Sequence, residues 1–269
     1  MRAIRTLLVI MLVLVMAAFG YTEINKRLSG KDEGPAVSCP EDMLYVSVKD
    51  PESVLLEGVK AADPQDGDIS DKVIVGGVSK LIENNTAKVT YYVFDSDDNM
   101  SSCSRMITYT DYQRPTLLIN KPLHYATGET ADLISRLGAT DIIDGDISQS
   151  VRISTLVATS HSQIYAVTAQ ITNSMGDTSS VRLPVLYRES VADRPEITLK
   201  EQLIYLDKGA DFDPLDYLAG VTVRDTALDS SATFIENEVN TAEDGTYWVW
   251  YSYTNGDHEG ISILTVVVR

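Results

Sequence analysis

Three stretches of the chain alternate apolar and polar positions with a period of two. Val89, Tyr91 and Val93 alternate with Thr90, Tyr92 and Phe94, and Tyr165, Val167, Ala169 and Ile171 alternate with Ala166, Thr168 and Gln170. In the third, Tyr247, Val249, Tyr251 and Tyr253 alternate with Trp248, Trp250 and Ser252. Successive side chains of a strand point to opposite faces, so each stretch predicts a strand with one face on a core. A turn signal follows each, Asp97-Asp98-Asn99, Asn173-Ser174-Met175-Gly176 or Asn255-Gly256-Asp257, and then a last apolar run, which predicts a hairpin. Residues 132–137 and 214–218 fit no more than one helical turn each. Isolated helices that short are marginal, so both are expected to be irregular connections.

The N-terminus departs from this pattern. Arg2 and Arg5 precede a continuous apolar run from Leu7 to Phe19, and residues 6–22 are 17 uncharged positions between Arg5 and Glu23. A membrane-spanning helix needs about 17–25 such residues and a signal-peptide core about 7–15, so export is expected while cleavage stays open. Ala18 and Gly20 would suit a cleavage site after Gly20, which would release a secreted protein. Retention would make residues 6–22 a single-pass anchor with the remainder outside the cell. Lys26 and Arg27 follow the segment, so the positive-inside rule orients it only weakly.

The remainder repeats. Asp63-Pro64-Gln65-Asp66-Gly67-Asp68-Ile69-Ser70 returns as Asp141-Ile142-Ile143-Asp144-Gly145-Asp146-Ile147-Ser148 at an offset of 78, and Arg114-Pro115 returns as Arg194-Pro195 at an offset of 80. Two independent landmarks with nearly one period mark a tandem array. A third copy is degraded. Gly220-Val221-Thr222-Val223-Arg224-Asp225 echoes Gly58-Val59-Lys60-Ala61-Ala62-Asp63, but Leu228-Asp229-Ser230 stands in place of Asp-Gly-Asp. The expected division is residues 1–35 as a signal-anchor or signal peptide with a linker, followed by modules over 36–112, 113–190 and 191–269. Each has the size of a seven-stranded antiparallel sandwich, so the fold class is all-β. Short Arg-Pro linkers predict modules strung end to end as a rod, its far end about 100 Å from the membrane.

An Asp-Gly-Asp-Ile-Ser loop ahead of an alternating Tyr/Val strand and an Asp/Asn turn resembles the bacterial immunoglobulin-like repeats of Gram-positive surface and exported proteins, which are close to hyalin-type repeats. The resemblance runs over residues 36–269 and is weakest at the third Asp-Gly-Asp. It implies a surface-exposed sandwich acting as spacer or adhesive module, and it implies no catalytic residues.

Composition narrows the chemistry. The net charge is −17, and residues 31–269 hold 18 basic against 38 acidic side chains, so phosphate backbones are repelled and nucleic acid is not an expected partner. His124, His161 and His258 fall into no Ser-His-Asp or Cys-His spacing, and His258-Glu259 lacks the second His of a zinc-protease motif. No phosphate-binding Gly-rich loop is visible. The chain is therefore expected not to be an enzyme and to need no cofactor unless calcium.

The two cysteines, Cys39 and Cys103, flank strands of the first module. They read either as a bridge between its first and last strands, which requires an oxidising compartment, or as unrelated thiols. Asp63, Asp66, Asp68 and Asp71, with Asp141, Asp144 and Asp146, gather hard oxygen ligands of the kind calcium takes, although not at EF-hand spacing. The alternative is that Asp-Gly supplies turn geometry while the carboxylates bind nearby backbone N–H groups. The same choice applies to Asp95, Asp97, Asp98 and Asn99. If Tyr247, Val249 and Tyr251 face the core, Trp248 and Trp250 face outward, ready to stack on a polysaccharide, anchor a surface protein, or cover a neighbouring module. No sortase-type signal or second apolar segment follows, so covalent attachment to a wall is not expected.

Overall fold

The computed structural model describes residues 11–21, 34–83 and 85–269. Within the N-terminal apolar run, residues 11–21 are helical, and Met11, Leu12, Leu14 and Phe19 are exposed. The rest of the run, with Arg2, Arg5, Lys26 and Arg27, lies outside the described residues. Among the described residues no helix is long and apolar enough to cross a membrane.

From residue 34 onward the chain is β throughout, with helical structure confined to single turns. Six sheets occur as three pairs in chain order, each a three-stranded sheet facing a four- or five-stranded one. In the first pair Ala36–Ser38, Lys60–Asp63 and Gly67–Asp68 face Leu44–Val46, Ile74–Val78, Thr86–Phe94 and Met100–Tyr109. Thr116–Ile119, Leu137–Asp141 and Gly145–Asp146 open the second. Its other sheet is built around the hairpin Ile164–Thr172 with Thr178–Arg188, edged by His124–Ala126, Arg152–Ile153 and Val157–Ala158. The third repeats the plan with Glu196–Leu199, Leu218–Val223 and Thr226–Leu228 against Leu203–Leu206, Phe234–Asn237, Gly245–Asn255 and His258–Val268. The connections at 132–137 and 214–218 each hold one 3-10 turn, Ile134–Arg136 and Pro214–Tyr217.

Period two works as expected on the long hairpins except at the start of the second, where Tyr165, expected on the core face, is 36% exposed while Ala166 is buried and Ile164 packs against the third pair. Val89, Tyr91 and Val93 are fully buried, as are Val249 and Tyr251, and Ala169 and Ile171 are 1% exposed. A core tyrosine hydroxyl then ties down the turn-rich connection in each pair. Tyr91 donates to the Leu55 carbonyl (2.6 Å) and Tyr251 to that of Pro214 (2.7 Å). In the second pair Ala169 stands at the matching hairpin position, and Tyr125, from the edge strand, donates to Asp132 O (2.9 Å). Burying a hydroxyl without a partner is costly, so a large core tyrosine is placed where its hydroxyl reaches a backbone carbonyl of the connection.

One expectation is corrected: the sheets are not wholly antiparallel. His124–Ala126 runs parallel to the end of Thr178–Arg188, and Leu203–Leu206 parallel to the end of His258–Val268. In both cases the opening strand of the pair is split. It starts in the three-stranded sheet, crosses over Asn120-Lys121-Pro122-Leu123 or Lys200-Glu201-Gln202, and continues in the same direction in the other sheet, where its free neighbour is the last strand.

The residues from 34 onward separate into two compact units. One holds the first sheet pair up to Thr108; the other holds Lys80–Asn85 and Tyr109–Arg269, and so contains both the second and third pairs.

Candidate functional site

The Asp-Gly-Asp-Ile-Ser loops place six of the singled-out carboxylates, and each position has a distinct task. Asp63 Oδ1 accepts from the backbone N–H of Gln65 (2.7 Å) and Asp66 (2.9 Å), and Asp141 Oδ1 does the same for Ile143 and Asp144 (2.9 and 3.0 Å). These are Asx turns, in which the side chain imitates a backbone turn. Asp66 reaches across to the tip of the long hairpin and takes both Ser96 N (2.8 Å) and Ser96 Oγ (2.8 Å). Asp144 takes Ser174 N and Oγ, both at 2.6 Å. Gly67 and Gly145 follow at φ of 78° and 71°, the left-handed conformation that glycine adopts without a steric cost. Asp68 and Asp146 cap the next turn through the N–H and hydroxyl of Ser70 and Ser148. Ile69 enters the core, 1% exposed.

The electrostatics follow the bonds. Ser96, through its hydroxyl and then its N–H, holds Asp66 below the ordinary carboxylate value, with a smaller contribution from Lys72 at 3.4 Å. Asp68 and Asp146 are lowered in the same way by Ser70 and Ser148. For Asp95, burial pushes upward, but bonds from Asn99 and Asp97 outweigh it and leave it lowered. Its Oδ1 accepts from Asp97 N and Asn99 N, and its Oδ2 from Asn99 Nδ2. Among the described residues no group of three or more His, Cys, Asp or Glu is placed to hold a metal ion.

In the second pair the hairpin loop 173–177 also secures the incoming linker. Tyr112, 8% exposed, donates to Asp177 Oδ2 (2.9 Å) and accepts from Asn173 Nδ2 (2.8 Å), while Arg114 pairs with Asp177 at 3.5 Å. Asn173 Nδ2 also donates to Asp141 (3.1 Å), which couples the linker to the Asp loop.

Cys39 and Cys103 form a disulfide with Cα atoms 5.9 Å apart. Cys39 sits just after Ala36–Ser38, where the chain leaves the three-stranded sheet, and Cys103 lies within the last strand of the other sheet. Closing a loop of this length stabilises by about 4 kcal/mol in the chain-entropy account.

Trp248 and Trp250 do face away from their own core, and the surface they meet is the second sheet pair. Trp248 Nε1 donates to Arg182 O (3.0 Å), and the Arg182 guanidinium lies 5.0 Å from its ring centroid. Trp250 stacks on His161 at 4.4 Å between centroids, and the two indoles meet edge to face at 6.4 Å. Ile164 and Leu186 of the second pair and Ile263 of the third close the cluster. Arg188 donates to Ile261 O, and Tyr205 Oη accepts from Leu117 N (2.9 Å). Gly260 is required here, since a Cβ would collide with the Pro195 carbonyl. The end-to-end arrangement expected from the Arg-Pro linkers therefore does not hold between the second and third pairs, which pack flank to flank along mid-strand residues.

No protein-family model matches the chain, and no curated protein matches it. Among solved structures, it is similar to the M60 catalytic domain with the CBM51-1 and CBM51-2 domains from Clostridium perfringens ZmpB. That match has 13% identity, covers 87% of this chain and 30% of that one, and has a TM-score of 0.24. Human CDH23 EC21-23 matches at 10% identity over 87% of this chain and 99% of that one (TM-score 0.22). The protocadherin gammaB7 EC3-6 cis-dimer matches at 10% over 87% and 73% (TM-score 0.22). The chain thus spans under a third of the bacterial structure's length. At such scores the overlays carry no argument, and the sandwich architecture rests on the strand pairings described above.

Proposed function

We propose that this is a non-catalytic protein of the cell exterior, three sandwich modules presented by the N-terminal apolar segment as a spacer or adhesive array. On this reading the modules are residues 36–112, 113–190 and 191–269. The observation that carries the reading is the Cys39–Cys103 disulfide inside the first sheet pair, downstream of an apolar segment. Structural disulfides persist in oxidising compartments and are rare in the cytosol. The Asp loops support a structural role as well, because each carboxylate accepts from nearby N–H or hydroxyl donors through at least one oxygen. The array's partner on this reading is a surface polysaccharide or protein, met by faces other than the two indoles in the seam.

Protease shaving of intact source cells, with thiol alkylation before and after reduction, tests this. External digestion of residues 34–269 and alkylation of Cys39 and Cys103 only after reduction support the reading; a protected chain with free thiols overturns it. Recovery from the medium with a new N-terminus near Tyr21 would favour the secreted form over the anchored one. In the alternative reading calcium stiffens the modules. Thermal melting in calcium and in EDTA separates the two, and the latch reading expects coincident curves.

A further inference from the structure

A cleft of about 830 Å³ opens between the second and third sheet pairs, beside the linker Glu189–Pro195. It lies within the range of small-ligand sites. The chain as a whole has 22 basic against 39 acidic residues, yet the cleft reverses that balance. Lys121, Arg136, Arg188, Arg194 and Lys200 line it, with His124 among them, against the exposed Glu189, Glu196 and Glu201.

None of the five cations forms an ion pair among the described residues. Several are held by backbone carbonyls instead. Arg136 donates to Pro122 O (2.5 Å) and His124 O (2.9 Å), Arg188 to Ile261 O, Arg194 to Glu189 O (2.7 Å) and Lys200 to Asp216 O (2.6 Å). Carbonyls orient a cation without neutralising it, so the positive charge stays available to a ligand. The Arg194 Nε–H is buried and meets no acceptor, which leaves a donor unsatisfied in the cleft wall. The charges also act on one another. Burial, then Arg194, lowers Arg188 to about 10 against an opposing effect of Glu259, and burial, then Arg188 and Arg136, lowers His124 to about 4.

We infer that this cleft binds a multivalent oxyanion of about two or three sugar rings in size, with carboxylate or phosphate groups taken by Arg194, Arg188 and Lys121. Guanidinium pairs with either group through two parallel N–H bonds. The inference goes beyond the surface-array reading and holds wherever the chain resides.

Calorimetry on the full chain at low salt tests it, with trigalacturonate as the carboxylate probe, inorganic pyrophosphate as the phosphate probe and maltotriose as the neutral control. Binding of one or both anions without maltotriose is expected, and the anion that binds names the source. Lys121→Glu and Arg194→Gln should each weaken binding roughly ten-fold, one lost charge-assisted contact, and Lys208→Glu, outside the cleft, should not. Lys121 is exposed, so its variant remains informative if Arg194→Gln fails to fold. Absence of binding by both anions, binding unaltered by Lys121→Glu, or an equal loss with Lys208→Glu would overturn the assignment.

Discussion

The first and third sheet pairs share one plan and close it differently. The first has an internal disulfide, an Asp66 latch to a five-residue hairpin loop, and glycine at the left-handed turn position. The third has no cysteine and no counterpart to Asp66. Its hairpin turns through two residues, Gly256-Asp257, and its other tight turn puts Arg224 and Asp225 at φ of 46° and 64°. Asp229 still caps Ser231 (3.0 Å), so the capping half of the loop survives where the latching half does not. The latch and the long loop disappear together because the cross-sandwich bonds of Asp66 and Asp144 are made to Ser96 and Ser174 on that loop. What the third pair lacks internally it obtains from outside, by setting Trp248, Trp250 and Ile263 against the second pair. All three pairs have cores of their own; the first adds a cross-link inside itself, and the third adds a seam with its neighbour.

The largest break in that contrast comes from the disulfide. Cys39→Ser with Cys103→Ser should cost the first unit about 4 kcal/mol and leave the unfolding of residues 109–269 unchanged, as read by denaturant melts followed by hydrogen exchange. Next is acid. His124 falls from its ordinary 6.5 to about 4 in the fold, chiefly through burial and then through Arg188 and Arg136. The unfolded chain binds that proton first, so the second unit keeps full stability above about 6.5 and loses about 3 kcal/mol as pH falls towards 4, and His124→Gln should flatten the slope. Asp66, Asp68 and Asp146 act in a lower window. Their folded values lie below 3.8, so their contribution is intact above it and disappears as pH falls through the lowered values.

Smaller, and aimed at the seam itself, Trp248→Ala or Trp250→Ala should cost about 2–3 kcal/mol, less than a fully buried Trp because both are half-buried. Such a variant should also split the single transition of the second and third pairs into two in calorimetry. Coincident transitions would mean that the Tyr205–Leu117 bond and the close approach of Gly260 to Pro195 suffice to couple them. The smallest effect belongs to the latch. Asp144→Ala should lower the midpoint of the second unit by a few degrees, and Asp229→Ala should lower it by less, since Asp229 bonds only to Ser231 in its own turn while Asp144 makes two bonds across the sandwich.

Much of this was legible in the residues themselves. The period-two runs marked which of Val89, Tyr91, Val249 and Tyr251 enter a core, and the 78-residue return of Asp-Gly-Asp-Ile-Ser marked the first two sheet pairs, because alternation and turn chemistry are local properties of a strand and a loop. The side of the sheet on which Trp248 and Trp250 lie was equally local. The surface they meet was not, since it depends on Arg182, His161 and Leu186, many residues away. The cleft was missed for the same reason: Lys121, Arg136, Arg188 and Lys200 converge only after two sandwiches pack, and Arg194 was visible merely as a linker residue. The bonds from Asp66 and Asp144 to Ser96 and Ser174 likewise had to wait for the fold, because each joins residues 30 apart. Sequence determined the strands, the turns and the repeat, whose causes act within a few residues. Tertiary structure alone decided which module covers which and where the positive charge gathers, because those outcomes depend on distances that chain order does not encode.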